Sequence, residues 1–300
     1  MPFPRPSRAR FMIADIHHHP PASHFTEVKG AAIHYLRWHQ PNKATVLLVH
    51  GHAAHAHWWD AVAIHLRKDF DIIAVDLSGC GDSDHRIQYD YNMYTRELMT
   101  VCEDAEVSRP IIVGHSFGGT VARIACFSEP ELASRLTIID SPLRARRARQ
   151  DTSSTNQGAN RLAKIHYFDT EHEAIKRFRL RPAQRIRQPE LIQHIARHAI
   201  TETDQGFRFK LDLTLLERLR PPDTTHSPAE MLRQLAIPIG LITGKESVFY
   251  QDTLETGQDN LLAARASFKP ERWHWVDDAA HHVLLDQPRE TARLIKVLSY

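Results

Sequence analysis

Ile111-Ile112-Val113-Gly114-His115-Ser116-Phe117-Gly118-Gly119 is a run of β-branched residues that ends in G-x-S-x-G. It passes directly into Thr120-Val121-Ala122-Arg123-Ile124-Ala125, which can be helical. The reading is strand, sharp turn, helix, with a serine at the apex. A residue held at such a turn has strained backbone angles, and its flanks come close to it. Gly114 and Gly118 lie two residues either side of Ser116, where a Cβ would clash. The helix that follows aims its first N–H groups at the space beside the serine, and those groups can stabilise an oxyanion.

Working outward, short apolar runs alternate with helical spacing. Thr45–Val49 reads as a buried strand leading into His50-Gly51, and Asp71–Val75 as another. Arg135–Ile139 ends at Asp140-Ser141-Pro142, and further strands fall at 237–244 and 272–276. A helix is expected at 58–67, where Trp59, Val62, Ala63 and Leu66 recur at intervals of three and four, and further helices at 92–105, 254–268 and 288–300. Two shorter strands, 25–28 and 32–38, precede them. The alternation implies an α/β fold, a mostly parallel sheet covered by helices on both faces.

Two segments stand apart. Residues 1–24, rich in Pro and Arg, read as an N-terminal arm that is mobile or loosely packed. Residues 142–235 carry 18 Lys and Arg against 11 Asp and Glu, and strand-like runs disappear. Helices are expected there at 160–167, 172–179, 189–199 and 211–219, so this part reads as a helical cap inserted between core segments 25–141 and 236–300. Its basic side chains form a solvated surface or attract an anionic substrate. Phe168, Phe178, Phe207 and Phe209 read as core between cap helices and sheet, with the lining of an acyl or aryl pocket as the alternative.

Bulk properties exclude several classes. A net charge of +2 gives no general reason to invoke nucleic acid. No apolar run approaches the roughly 18 residues of a membrane helix. The first 25 residues hold no apolar signal core. Three widely spaced cysteines, Cys80, Cys102 and Cys126, fit a reduced, cytoplasmic setting. Oligomeric state is not legible.

In a parallel sheet, ligands bind beyond the carboxyl ends of the strands. His50-Gly51-His52, Asp76, Ser116, Asp140 and His281 all fall at such ends. Serine is a poor nucleophile near pH 7 without an adjacent base, and a histidine after the last strand can supply one. His281 and His282 compete for that part.

At these residues the chain resembles the α/β-hydrolase family of serine esterases and lipases. The resemblance rests on His50-Gly51, Gly114-His115-Ser116-Phe117-Gly118-Gly119 and His281-His282-Val283-Leu284-Leu285-Asp286-Gln287-Pro288, and it runs from about residue 25 onward. The family's late motif places the base at its first histidine, His281. The resemblance implies oxyanion donors at the backbone N–H of Phe117 and His52. It implies a cleft lined by His50, Gly51, His115, Trp58 and His282. Asp76-Leu77-Ser78-Gly79-Cys80-Gly81-Asp82-Ser83 resembles the family's D-x-x-G-x-G-x-S turn, a structural element. The usual acid position, after the strand that follows the insertion, holds Gly244-Lys245-Glu246-Ser247 and no Asp. The family's other placement coincides with Asp140. Asp140 is therefore the expected acid, and Glu246 the alternative.

These residues imply a serine hydrolase acting on a small carboxylic ester through an acyl-enzyme, with no metal or organic cofactor. A cofactor-independent dioxygenase or carbon–carbon bond hydrolase on the same scaffold is one alternative. A non-catalytic ligand binder is another. A rival reading takes His50, His52 and His55 as part of a zinc motif, but its aspartate position is Ala54 and it leaves the G-x-S-x-G turn unexplained.

Overall fold

The computed structural model describes residues 8–143 and 165–300, with side chains from residue 12 onward. In chain order the elements are α1 (Arg8–His18), β1 (Ala22–Val28), β2 (Ala31–Trp38), β3 (Thr45–Val49), a 3-10 turn (Ala56–Trp59), α2 (Asp60–Leu66), β4 (Asp71–Val75), α3 (Tyr91–Asp104), β5 (Ile111–His115), α4 (Phe117–Ser128) and β6 (Arg135–Ile139). After the undescribed stretch come α5 (Glu171–Arg177), α6 (Pro189–His198), β7 (Ile200–Thr203), β8 (Gly206–Phe209), α7 (Leu215–Arg218) and α8 (Pro228–Gln234). The chain closes with β9 (Ile239–Gly244), α9 (Glu255–Ser267), β10 (Trp273–Val276), α10 (Val283–Asp286) and α11 (Pro288–Leu298).

Eight strands form one sheet in the order β1-β2-β4-β3-β5-β6-β9-β10. β1 and β2 join it antiparallel, and every pairing from β4 to β10 is parallel. Side chains alternate across a strand, so one apolar run feeds two layers. Val46 and Leu48 of β3 join the core against α2 and α11, where Trp59, Leu66 and Leu294 are buried. Leu47 and Val49 join the opposite core with Leu98 of α3 and Val121 of α4. Each such fully buried aliphatic side chain contributes about 1.5–3 kcal/mol of transfer free energy. The α/β fold with helices on both faces is thus the one the alternation implied.

Three expectations are corrected. Residues 8–24 are not a loose arm: α1 lays Met12, Ile13 and Ile16 on the core cluster, and β1 already starts at Ala22. Strands do not disappear from 142–235, because β7 and β8 form an antiparallel hairpin. Its strands have only four residues each, Ile200-Thr201-Glu202-Thr203 and Gly206-Phe207-Arg208-Phe209, so no continuous apolar run marks them. Phe207 also pairs with Phe168 through reciprocal backbone hydrogen bonds, at 2.8 and 2.9 Å, and a small core of Phe168, Ala174 and Ile200 packs between hairpin and α5. Of the helix expected over 211–219, only Leu215–Arg218 is helical, because Asp212 takes the N–H and hydroxyl of Thr214 into a turn. The expected 160–167 helix lies mostly outside the described residues, and 165–167 are not helical.

Candidate active site

Ser116 sits between β5 and α4 with φ 53° and ψ −117°, a conformation that L-residues rarely adopt. Packing leaves it no relaxed alternative. Its N–H donates to the Ile139 carbonyl at 2.9 Å, which ties the turn to the end of β6. A Cβ on Gly118 would lie 2.3 Å from the His50 carbonyl oxygen, so only glycine lets α4 start this close to β3. One on Gly51 would lie 3.2 Å from the Ser116 Cβ, so the turn after β3 rests against the serine. Among the described residues, the N–H groups of Phe117 and His52 on these two turns donate to no protein acceptor. The N–H groups of Gly119 and Thr120 instead cap the Ser116 carbonyl, at 3.0 and 3.2 Å.

His281 leaves the loop after β10 and reaches the same point. Its Nε2 lies 2.9 Å from the Ser116 Oγ, and its Nδ1 lies 2.9 Å from the Asp140 Oδ1. An ionised carboxylate only accepts, so Nδ1 carries the proton and Nε2 is left to accept from the serine hydroxyl. Asp140 follows β6 with φ 44° and is fully buried. Its Oδ2 accepts the Gly244 N–H at 3.0 Å and its Oδ1 the Ser247 hydroxyl at 2.5 Å. A buried carboxylate with three donors is compensated rather than stranded. Glu246 goes elsewhere: it is exposed and accepts from Arg187 at 2.6 Å.

Two supports escaped the sequence reading. Ser247 occupies the loop where a carboxylate was sought, and it supplies a hydroxyl donor to Asp140 instead. Phe249 packs its ring on His281, centroids 4.6 Å apart. The only signal for either was their place after β9.

Four side chains expected to line the cleft are buried structural groups. His50 is closed off between its own neighbours, with Nδ1 donating to the Gly51 carbonyl and Nε2 accepting the Leu77 N–H at 3.1 Å. His115 donates from Nε2 to the His281 carbonyl at 3.0 Å, and so holds the His281 loop from below. His282 donates to the Pro182 carbonyl at 3.1 Å and packs edge-on against buried Trp58. Burial pushes His50 and His115 below the ordinary imidazole range and His282 down to about 3, so all three are neutral in the folded chain. The physical reason for the miss is direction: a residue at a strand end can point down into the core as readily as out into the cleft. His52 is half-buried, and burial, then Arg181, push it down to about 4. The three histidines of the zinc reading do not converge, since His55 turns away and meets the Ile195 carbonyl at 3.0 Å. Asp76 serves the turn after β4, accepting from the N–H groups of Ala56 and Asp82.

Beyond the His52 turn, a cleft opens between core and inserted segment. Ala53, Phe178, Phe209 and Leu213 give it apolar walls, and Arg181 and Lys210 a basic side.

The sequence model of the Alpha/beta hydrolase family matches residues 46–294. The chain belongs to the alpha/beta hydrolase family. This alpha/beta hydrolase is 32% identical over 123 residues to an uncharacterised hydrolase of Bacillus subtilis, a match covering 40% of this chain and 45% of that one. Against a serine hydrolase-like protein of Danio rerio it is 23% identical over 274 residues, covering 86% and 82%. Among solved structures, the thioesterase domain from the curacin biosynthetic pathway superposes with a TM-score of 0.74 at 22% identity, covering 92% of this chain and 99% of that one. An esterase from Mycobacterium tuberculosis superposes with a TM-score of 0.68 at 20% identity over the whole of both chains. At such identity the superpositions speak to fold. Relatives in this family carry hydrolase names, and the chain spans less than half the length of the Bacillus subtilis one. No described helix is long and apolar enough to cross a membrane.

Proposed function

We propose that this alpha/beta hydrolase cleaves a small carboxylic ester through an acyl-enzyme on Ser116. The observation that carries the reading is the hydrogen-bonded series Ser116–His281–Asp140, each link 2.9 Å, beside two free amides. His281 takes the Ser116 proton as Oγ attacks the carbonyl carbon. It returns that proton to the departing alkoxide, then activates water to release the acid. Asp140 fixes the imidazole tautomer and stabilises the imidazolium, and no metal or organic cofactor takes part. The N–H groups of Phe117 and His52 hold the oxyanion. Each donor in such a hole is worth about 3–4 kcal/mol of transition-state stabilisation.

Ser116 and His281 do not themselves line the cleft, so a substrate that extends from them past the His52 turn would set an apolar body against Phe178 and Phe209 and an anionic substituent beside Arg181 and Lys210. The test is hydrolysis of p-nitrophenyl esters of graded chain length, with and without a terminal carboxylate, alongside labelling by a fluorophosphonate. Expected are burst kinetics and one label per chain that Ser116→Ala abolishes. A chain that is neither labelled nor active on any ester would defeat the proposal.

A further inference from the structure

Away from Ser116, four metal-ligating side chains meet where the core joins the inserted segment. His57 and Asp60 come from the 3-10 turn and the start of α2, and His194 and His198 from the end of α6. The second pair is spaced i, i+4, which puts both rings on one face of the helix. One donor atom from each of the four lies within 4.8 Å of every other. His57 Nδ1 is 2.9 Å and His194 Nε2 2.6 Å from the same oxygen, Oδ2 of Asp60. The His198 ring stacks on His57 with centroids 3.5 Å apart, and it makes no hydrogen bond to any described residue.

Asp60 supplies a second, independent observation. It is 1% exposed, yet its Oδ1 has no hydrogen-bond partner among the described residues. A buried carboxylate oxygen without a donor is costly. A cation that takes Asp60 through Oδ1 would give that oxygen a partner and use the spare imidazole of His198 together. Three imidazoles and one carboxylate make a four-ligand set of the kind that holds a divalent transition ion in tetrahedral geometry. In such a site metal–ligand distances near 2.0–2.2 Å put neighbouring ligand atoms about 3.4 Å apart. The four donor atoms already lie within 4.8 Å of one another, so seating an ion opens the 2.6 and 2.9 Å contacts to Oδ2 and draws the wider ones in, with the His198 ring turning off His57.

We infer that His57, Asp60, His194 and His198 form a structural zinc-type site that staples α6 to the core. With no position left for water or substrate, the ion would serve structure and not chemistry. It would also fix one wall of the cleft, because His55 and Ala199, which line it, adjoin the ligands in sequence. Nothing in this assignment depends on the ester reading.

The test uses the full chain with any affinity tag removed, stripped by chelator and titrated with Co2+ and then Zn2+. Expected is one Co2+ per chain with the strong visible bands of tetrahedral coordination, displaced by one equivalent of Zn2+, and a melting temperature raised by Zn2+. His198→Ala removes a ligand that makes no hydrogen bond, so the fold stays intact. It should weaken binding at least about a hundredfold and abolish the thermal shift. His18→Ala, on the exposed side of α1, should change neither. Weak, pale octahedral Co2+ binding, or unchanged affinity in His198→Ala, overturns the assignment.

Discussion

Asp140 and Glu246 are both carboxylates near the end of a central strand, and they predict opposite outcomes when neutralised. Asp140→Asn keeps the shape of the side chain but presents the wrong hydrogen-bonding partner to His281 Nδ1. It should lower kcat by about 10^4, as loss of the equivalent charge does in comparable triads. Glu246→Gln removes only an exposed ion pair with Arg187 and should stay within about twofold of the parent. Steady-state rates on whichever p-nitrophenyl ester the parent turns over fastest decide between them. Near-parental activity in Asp140→Asn would return the acid to Glu246. Ser247→Ala is a finer probe. It removes one of three donors to Asp140 and should reduce kcat by about tenfold with KM little changed, since no contact with substrate is lost.

At the scale of elements, the turns matter more than the strands they join. Asp76 ends β4 and is buried, where its carboxylate takes the Ala56 N–H at 2.6 Å, the Asp82 N–H at 2.9 Å and His34 Nδ1 at 2.7 Å. Burial alone would raise its pKa, but the His34 hydrogen bond and then the surrounding histidine rings outweigh it and hold the group well below the usual carboxylate range. Asp76→Ala strands the buried Ala56 N–H and the buried His34 and frees the Asp82 N–H, so it should cost roughly 3–5 kcal/mol, read from the urea midpoint. A loss under about 1 kcal/mol would mean the turn holds itself. The segment before α6 acts similarly on the His281 loop. Gln184 accepts the His282 N–H at 2.9 Å and donates to Asp286 at 2.8 Å, and Asp286 in turn accepts the Ala280 N–H. The inserted segment thus clamps the residues on both sides of His281, a link that no local sequence pattern announces.

For the molecule as a whole, buried neutral histidines set the acid limit of stability. The ordinary imidazole value is 6.5, and His50, His115 and His282 are all pushed below it by burial. As pH falls through 6.5 the unfolded chain takes up protons on these rings and the folded chain does not. Their contribution is therefore complete above that pH and declines below it, with His282 still losing ground down to about 3. Each ring adds up to about 1.4 kcal/mol per pH unit to the slope. Urea unfolding from about pH 8 to about pH 5 should show the midpoint falling before most carboxylates titrate. A midpoint that is flat across that range would contradict the burial argument.

The sequence by itself determined the layered α/β architecture. Period-two burial on both faces demands continuous apolar runs, and Thr45–Val49, Asp71–Val75 and Ile111–Val113 are such runs. It also determined which strand ends carry chemistry-bearing residues, because spacing to Gly and Pro fixes where a strand stops. The β7–β8 hairpin was illegible, since four-residue strands with mixed faces carry too little hydrophobic signal. The tertiary structure alone decided which way each side chain at a strand end points. Asp140 turns to His281 while Glu246 turns to Arg187, and His50 and His115 turn inward. It alone brought His57 and Asp60 to His194 and His198, more than 130 positions away in the chain. Direction and long-range juxtaposition come from packing between elements, which no local run of residues encodes.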